Sequence, residues 1–189
     1  MTAKAGRLIL AITGASGAVV GIRLLELLKK MEVESHLIIS KSARRTIVAE
    51  TGREVAAVEA LASYLYSPAD VGALIASGSF HTGGMLVAPC SIKTLSGIAN
   101  SYSKNLIVRA ADVCLKEGRP LLLGVRETPF HPGHIRLIRL ASRAGAIIFP
   151  LVPSFYGGPQ TVDDLVTNLA ARMLQRVGLD NDYVRRWAG

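Results

Sequence analysis

The chain has 189 residues, half of them hydrophobic and 19% charged, which excludes a disordered chain and suffices for one domain with a buried core. Its formal net charge of +8 asks for an anionic partner; the basic residues are scattered without interleaved aromatics, which favours phosphorylated small molecules over nucleic acid. Two cysteines, Cys90 and Cys114, are too few for a disulfide framework and lack paired metal-ligand spacing. Mean hydropathy is positive. Even so, no apolar run approaches the roughly 18 residues of a membrane helix. The opening MTAKAGRLILAITGASG does not read as a signal peptide, because its short apolar run flows straight into a glycine turn. A reducing cytoplasm is the expected location.

The elements alternate along the chain. A strand is predicted over Leu8–Thr13, then helix Ala18–Lys30, strand His36–Ser40, and helices Ala43–Thr51 and Val55–Ala62. Strand Met85–Ala88 precedes helices Lys93–Ser101 and Leu106–Glu117. Strand Pro120–Val125, helix Ile135–Arg143, strand Ala146–Phe149 and helix Val162–Val177 complete the series. The strand segments are continuously apolar, as strands covered on both faces should be. The last helix places Val162, Leu165, Val166, Leu169, Met173 and Val177 on one face. The order implies α/β: a single doubly wound parallel sheet over residues 1–189 with helices on both faces, whose ligands sit beyond the carboxyl ends of the strands.

The turns between elements carry the chemistry. Thr13-Gly14-Ala15-Ser16-Gly17 admits two readings: a small-residue turn whose amides hold a phosphate at a helix start, or a glycine turn that only ends a strand. The second strand ends in Ser40-Lys41-Ser42 rather than the acidic residue that grips an adenosine ribose, which suits phosphate or a flavin edge. A short-chain dehydrogenase would need a Tyr with Lys four residues on. Tyr64, Tyr66, Tyr102, Tyr156 and Tyr183 are followed at that spacing by Pro68, Asp70, Leu106, Gln160 and Trp187, so that reading fails.

After the third strand, Pro89 is expected to stop the ladder, while Ser91 and Thr94 either cap the next helix or face a ligand. Cys90 reads as a small apolar filler. Arg126-Glu127 directly follows a buried strand, where a charged pair is solvated or used. His131 and His134 lack nearby Cys or carboxylate partners and read as loop residues rather than metal ligands. Arg172 lies at the edge of the last helix's apolar stripe, as a snorkelling surface arginine or a ligand contact. Phe155 and Tyr156 sit in a Pro/Gly-rich loop that either closes the core or lines a pocket.

The ordered set TGASG, SKSAR, APCSIKTLSGIANSYSKNL, RAADVCLKEGRPLLLGVRETPFHPGHIRL, GAIIFPLVPSFY and the late Arg186-Trp187 resembles the UbiX flavin prenyltransferase family over nearly the whole chain. The resemblance implies a flavodoxin-like (Rossmann-like) fold and transfer of a dimethylallyl group from dimethylallyl monophosphate to N5 and C6 of reduced FMN. It further implies a homododecamer with sites shared between subunits, no metal, and a UbiD-type decarboxylase as recipient of the prenylated FMN. Residue by residue, Gly14, Ala15, Ser16, Ser40, Ser91, Ile92, Lys93, Thr94 and Arg126 match flavin contacts. Lys116, Tyr156 and Arg172 match prenyl-phosphate contacts, and Ser16, Glu50, Arg109 and Glu127 match the catalytic set. Gly118 departs from the pattern, standing where the family commonly has arginine, which removes a cation and loosens a helix end.

Those residue types suit the chemistry. Loss of an allylic phosphate asks for cations, which Arg172 and Lys116 supply, with Tyr156 donating a further hydrogen bond. Glu127 can serve as acid/base and Ser16 as proton relay. The only adjacent acidic pair is Asp163-Asp164, so the paired acidic motifs of magnesium-dependent prenyltransferases are missing. Two alternatives stand beside this reading: an FMN-dependent cysteine decarboxylase of the same fold, whose PAMN-type motif is absent, and a flavin carrier without chemistry.

Overall fold

A computed structural model describes residues 6–184; Arg186 and Trp187 of the family resemblance lie outside them. Six parallel strands form one sheet in the order β3-β2-β1-β4-β5-β6. They are β1 (Arg7–Ile12), β2 (Glu34–Ile39), β3 (Tyr64–Tyr66), β4 (Met85–Cys90), β5 (Leu121–Val125) and β6 (Ile147–Ile148). The helices are α1 (Ala18–Lys30), α2 (Lys41–Thr51), α3 (Val55–Glu59), α4 (Ile92–Ala99), α5 (Leu106–Lys116), α6 (Pro132–Arg143) and α7 (Val162–Arg176).

The continuous apolar runs are explained by two separate cores. Leu8, Leu10 and Ile12 of β1 pack with Leu24 and Leu28 of α1 and with Met173 and Leu174 of α7. Ile9 and Ala11, pointing the other way, pack with Leu95 of α4, Leu106 and Ala110 of α5, and Leu137 of α6. Alternate residues of one strand thus serve opposite layers, so both sets must be apolar. The layer of α1 and α7 is also fastened by polar groups. Arg23 bridges Glu26 at 2.8 Å and Asp163 at 2.5 Å, and its guanidinium donates to Thr167.

Four predicted features differ. β3 was not expected: it is a three-residue edge strand with Tyr64 and Leu65 about half exposed, so no apolar run marks it. Pro89 does not end its strand but lies inside β4, where the pairing register with β5 shifts between Val87 and Cys90; a bulge tolerates the missing N–H. His131 and His134 are not loop residues. His131 caps α6, its Nδ1 accepting from the Gly133 amide at 3.0 Å, and His134 lies within that helix. Gly118 does not loosen α5: with φ +64° it adopts the left-handed conformation that closes the helix, as Arg119 N donates to Cys114 O and Gly118 N to Leu115 O.

The sheet order reverses between β1 and β4, and the chain leaves these strands toward opposite layers. A crevice opens at their carboxyl ends, where α/β sheets bind ligands.

Candidate active site

Thr13 joins the two turns at the crevice. It is buried, its hydroxyl donates to Pro89 O at 2.7 Å, and it accepts from the Ser91 amide at 2.8 Å. One side chain therefore locks the β1–α1 turn to the β4–α4 turn. Gly14 follows because nothing larger fits: a Cβ there would lie 2.2 Å from Ser42 Oγ. Gly17, with φ +97°, is the N-cap of α1 and has no side chain to cap with. Glu50 supplies the cap from α2, its Oε2 accepting from Gly17 N and Ala18 N at 2.9 Å each. A carboxylate on these amides is favoured by the helix dipole. Ser16 stays exposed beside them, with Ala15 half-buried.

The amino ends of α2 and α4 form the next wall. Ser40 accepts from Ala43 N at 3.1 Å and shares a hydrogen bond with Ser42 at 3.2 Å. Ser91 accepts from Thr94 N and donates to Thr94 Oγ1 at 3.2 Å. Ile92 turns partly into the α4–α5–α6 core. Ser40, Ser91, Lys93 and Thr94 line a cavity of about 800 Å³, together with Lys41, Ser42, Arg45, Tyr102, Lys104 and Asn105. Its charged lining is cationic throughout. Hydroxyls and cations without a carboxylate are a donor set that fits a phosphorylated flavin.

Arg126 and Glu127 leave β5 on the other side of the crevice, Glu127 accepting from the Thr128 amide at 3.1 Å. Beyond β6 the chain stays alongside β5, with Leu151 N donating to Val125 O at 3.0 Å. Leu151 then bridges the site: its side chain lies 3.7 Å from a Cβ built on Gly17 and 3.1 Å from one built on Gly124. Asn168 of α7 donates to Ser154 at 2.8 Å and fastens the loop that carries Tyr156. Arg172, one turn further along α7, is half-buried and has no carboxylate within ion-pair distance among the described residues. Tyr156 is 52% exposed.

Two predicted residues share α5. Arg109 is on α5, 3.4 Å from Asp112. Lys116 ends α5 beside Gly78, at the amino end of the sheet, where it pairs with Glu117 at 2.5 Å. That cation holds the exposed Glu117 carboxyl below the usual range. A single chain does not bring Lys116 to Tyr156 and Arg172.

Several groups take no part in site chemistry. Burial pushes the Cys90 and Cys114 thiols up to about 12, which removes both as nucleophiles at neutral pH. Asp163 is held by Arg23, and Asp164 forms the capping box of α7 with Thr161. Among the described residues no three His, Cys, Asp or Glu side chains are grouped as metal ligands.

The sequence is similar to known proteins at this level of detail. Residues 2–173 match the family model described as Flavoprotein. A curated relative, flavin prenyltransferase UbiX of Escherichia coli K12, is 50% identical over 186 residues, covering 97% of this chain and 98% of the relative. This chain belongs to the UbiX flavin prenyltransferase family. Two solved structures agree. AnUbiX (PadA1), crystallised with FMN and dimethylallyl pyrophosphate, superposes with a TM-score of 0.96 at 44% identity, covering 98% of this chain and 99% of its own. A dodecameric FMN-dependent UbiX-like decarboxylase from Escherichia coli O157:H7 gives 0.94 at 48% identity, covering 97% and 100%. The family assignment makes the chain a flavoprotein and a transferase.

Residues missed by sequence reasoning include Thr13, Ser42, Arg45 and Lys104. Thr13 and Ser42 stood inside the quoted turns, but their roles depend on contacts between distant turns, Thr13 with Pro89 76 residues on and Ser42 against Gly14. Arg45 and Lys104 meet only when α2 and the segment before α5 line one cavity.

Proposed function

We propose that this chain transfers the dimethylallyl group of dimethylallyl monophosphate to N5 and C6 of reduced FMN, without a metal, and that a UbiD-type decarboxylase receives the product. The observation that carries the reading is the cationic, carboxylate-free cavity beside the β1–α1 turn, whose Gly14 packs against Ser42 of the lining while Leu151 packs against Gly17 of the same turn. The reduced flavin supplies the nucleophilic nitrogen and carbon.

The residues divide the remaining work. The Gly14-Ala15-Ser16 turn, Ser40, the Ser91–Thr94 segment and Arg126 hold and orient the flavin. Arg172 and Tyr156 bind the prenyl phosphate and stabilise the charge that grows as the allylic C–O bond breaks, its electron pair leaving with the phosphate. Protons must leave N5 as it takes the allyl carbon and, at ring closure, leave C6 while the prenyl double bond gains one; Glu127 carries them between these positions and the departed phosphate, with Ser16 as relay. Glu50 holds the α1 turn against that reaction zone. Apolar walls such as Leu151 exclude water from the electron-poor allyl fragment.

Arg109 and Lys116 are seven positions apart, hence on one face of α5. We assign that face to a neighbouring subunit's phosphate site, in an assembly like the dodecamer of the E. coli O157:H7 relative. This accounts for a predicted phosphate ligand lying at the wrong end of its own sheet.

Replacing Glu127 tests the chemistry. Glu127→Gln protein should bind FMN with wild-type affinity in a fluorescence titration and form prenylated flavin about 10²-fold more slowly. Unchanged turnover would remove Glu127 from the mechanism, whereas a wild-type protein that binds FMN and forms no prenylated flavin would be a flavin carrier.

A further inference from the structure

The cavity between α2, α4 and the segment before α5 holds more positive charge than the flavin contacts named above supply. Lys41 and Arg45 reach it from α2, Lys93 from α4, and Lys104 from just before α5. All four are exposed, and none takes part in an ion pair among the described residues. The contrast with Arg44 is sharp: one residue before Arg45, it turns away to Glu59 at 2.5 Å. The hydroxyls at the back of the cavity, on Ser40 and Ser91, already accept from the helix amides of Ala43 and Thr94. Charge compensation for an incoming anion therefore falls to the cations. A concave protein wall lined by one sign of charge focuses the field and accelerates capture of the opposite sign.

We propose that Arg45 and Lys104 form an outer cationic pair that draws a phosphorylated flavin into this cavity and sets its preference over the unphosphorylated form. The proposal rests on FMN as the bound flavin. A phosphate monoester carries about −1.5 to −2 near neutral pH, and charges within about 8–10 Å still act on it at ordinary salt. The pair can therefore steer FMN without touching the reacting ring, and riboflavin, which has no phosphate, gives it nothing to act on.

Stopped-flow quenching of flavin fluorescence on the intact protein tests this, with FMN and riboflavin each at low and high salt. In the Arg45→Gln/Lys104→Gln variant, FMN association at low salt should slow about tenfold and lose much of its salt dependence, with riboflavin association unchanged. The charge-keeping variant Arg45→Lys/Lys104→Arg should behave as wild type. An FMN rate and salt slope unaltered by the glutamines would overturn the proposal, as would equal slowing for riboflavin. Product formation at saturating FMN is measured separately. Its absence in the wild type would sink the transferase reading, while the association rates would still judge the cationic pair.

Discussion

Glu50 is 33 positions beyond Gly17 in sequence, yet its carboxylate holds the two amides with which α1 could greet an anion. The positive end of α1 is thus met by a charge of the chain itself, and the cations across the crevice are left for a phosphate from outside. Gly118 decides a different matter. Its φ of +64° is the conformation that an L side chain resists, and a Cβ there would meet nothing within 4 Å, so backbone preference alone sets the cost of substitution. Gly118→Arg, which restores the family's usual residue, should lower stability by about 1 kcal/mol in urea denaturation. An unchanged or raised midpoint would show that α5 ends differently. At the equivalent position after α1, Glu32 adopts φ 55° without being glycine, so the fold tolerates this strain where other contacts outweigh it.

At the scale of elements, α5 carries the clearest functional consequence. It begins at the cationic cavity, where Ile107 and Val108 join the lining, and ends at the opposite, amino end of the sheet with Lys116. If α5 serves a neighbour's site, mixing two inactive variants should restore activity. Lys116→Ala and Arg172→Ala subunits, dissociated and reassembled together, should regain prenyl transfer at the sites that combine both intact residues. No recovery from assemblies shown to be mixed would place Lys116 outside the site. The elements themselves were largely legible, because strands buried on both faces must be apolar at every position and amphipathic helices must not. α1 matches its prediction end to end, since a glycine turn before it and Lys29-Lys30 at its close mark both limits. β3 was illegible because pairing along one edge of β2 needs no apolar pattern. The interior position of Pro89 depends on a register shift, which no local pattern encodes. In the same way the motif residues could be named from their order, whereas the capping of α1 by Glu50 and the convergence of Arg45 with Lys104 exist only after distant segments pack.

For the molecule as a whole, the sheet order and the charge act together. The reversal between β1 and β4 opens the crevice, and Thr13, Gly14 and Ser42 pack its two sides closely enough to fix their relative position. The net charge of +8 then acquires a local meaning, because part of it is gathered around a cavity without opposing carboxylates. No helix of the described residues is long and apolar enough to cross a membrane, and none is needed for this chemistry. For this enzyme the bound flavin is a substrate to be alkylated. The direct test is a mass spectrum of the flavin released after anaerobic incubation of the protein with dithionite-reduced FMN and dimethylallyl monophosphate, with metal chelated. A flavin heavier by one prenyl unit is expected; unmodified FMN, recovered from protein shown to have bound it, would mean that the flavin is not the acceptor.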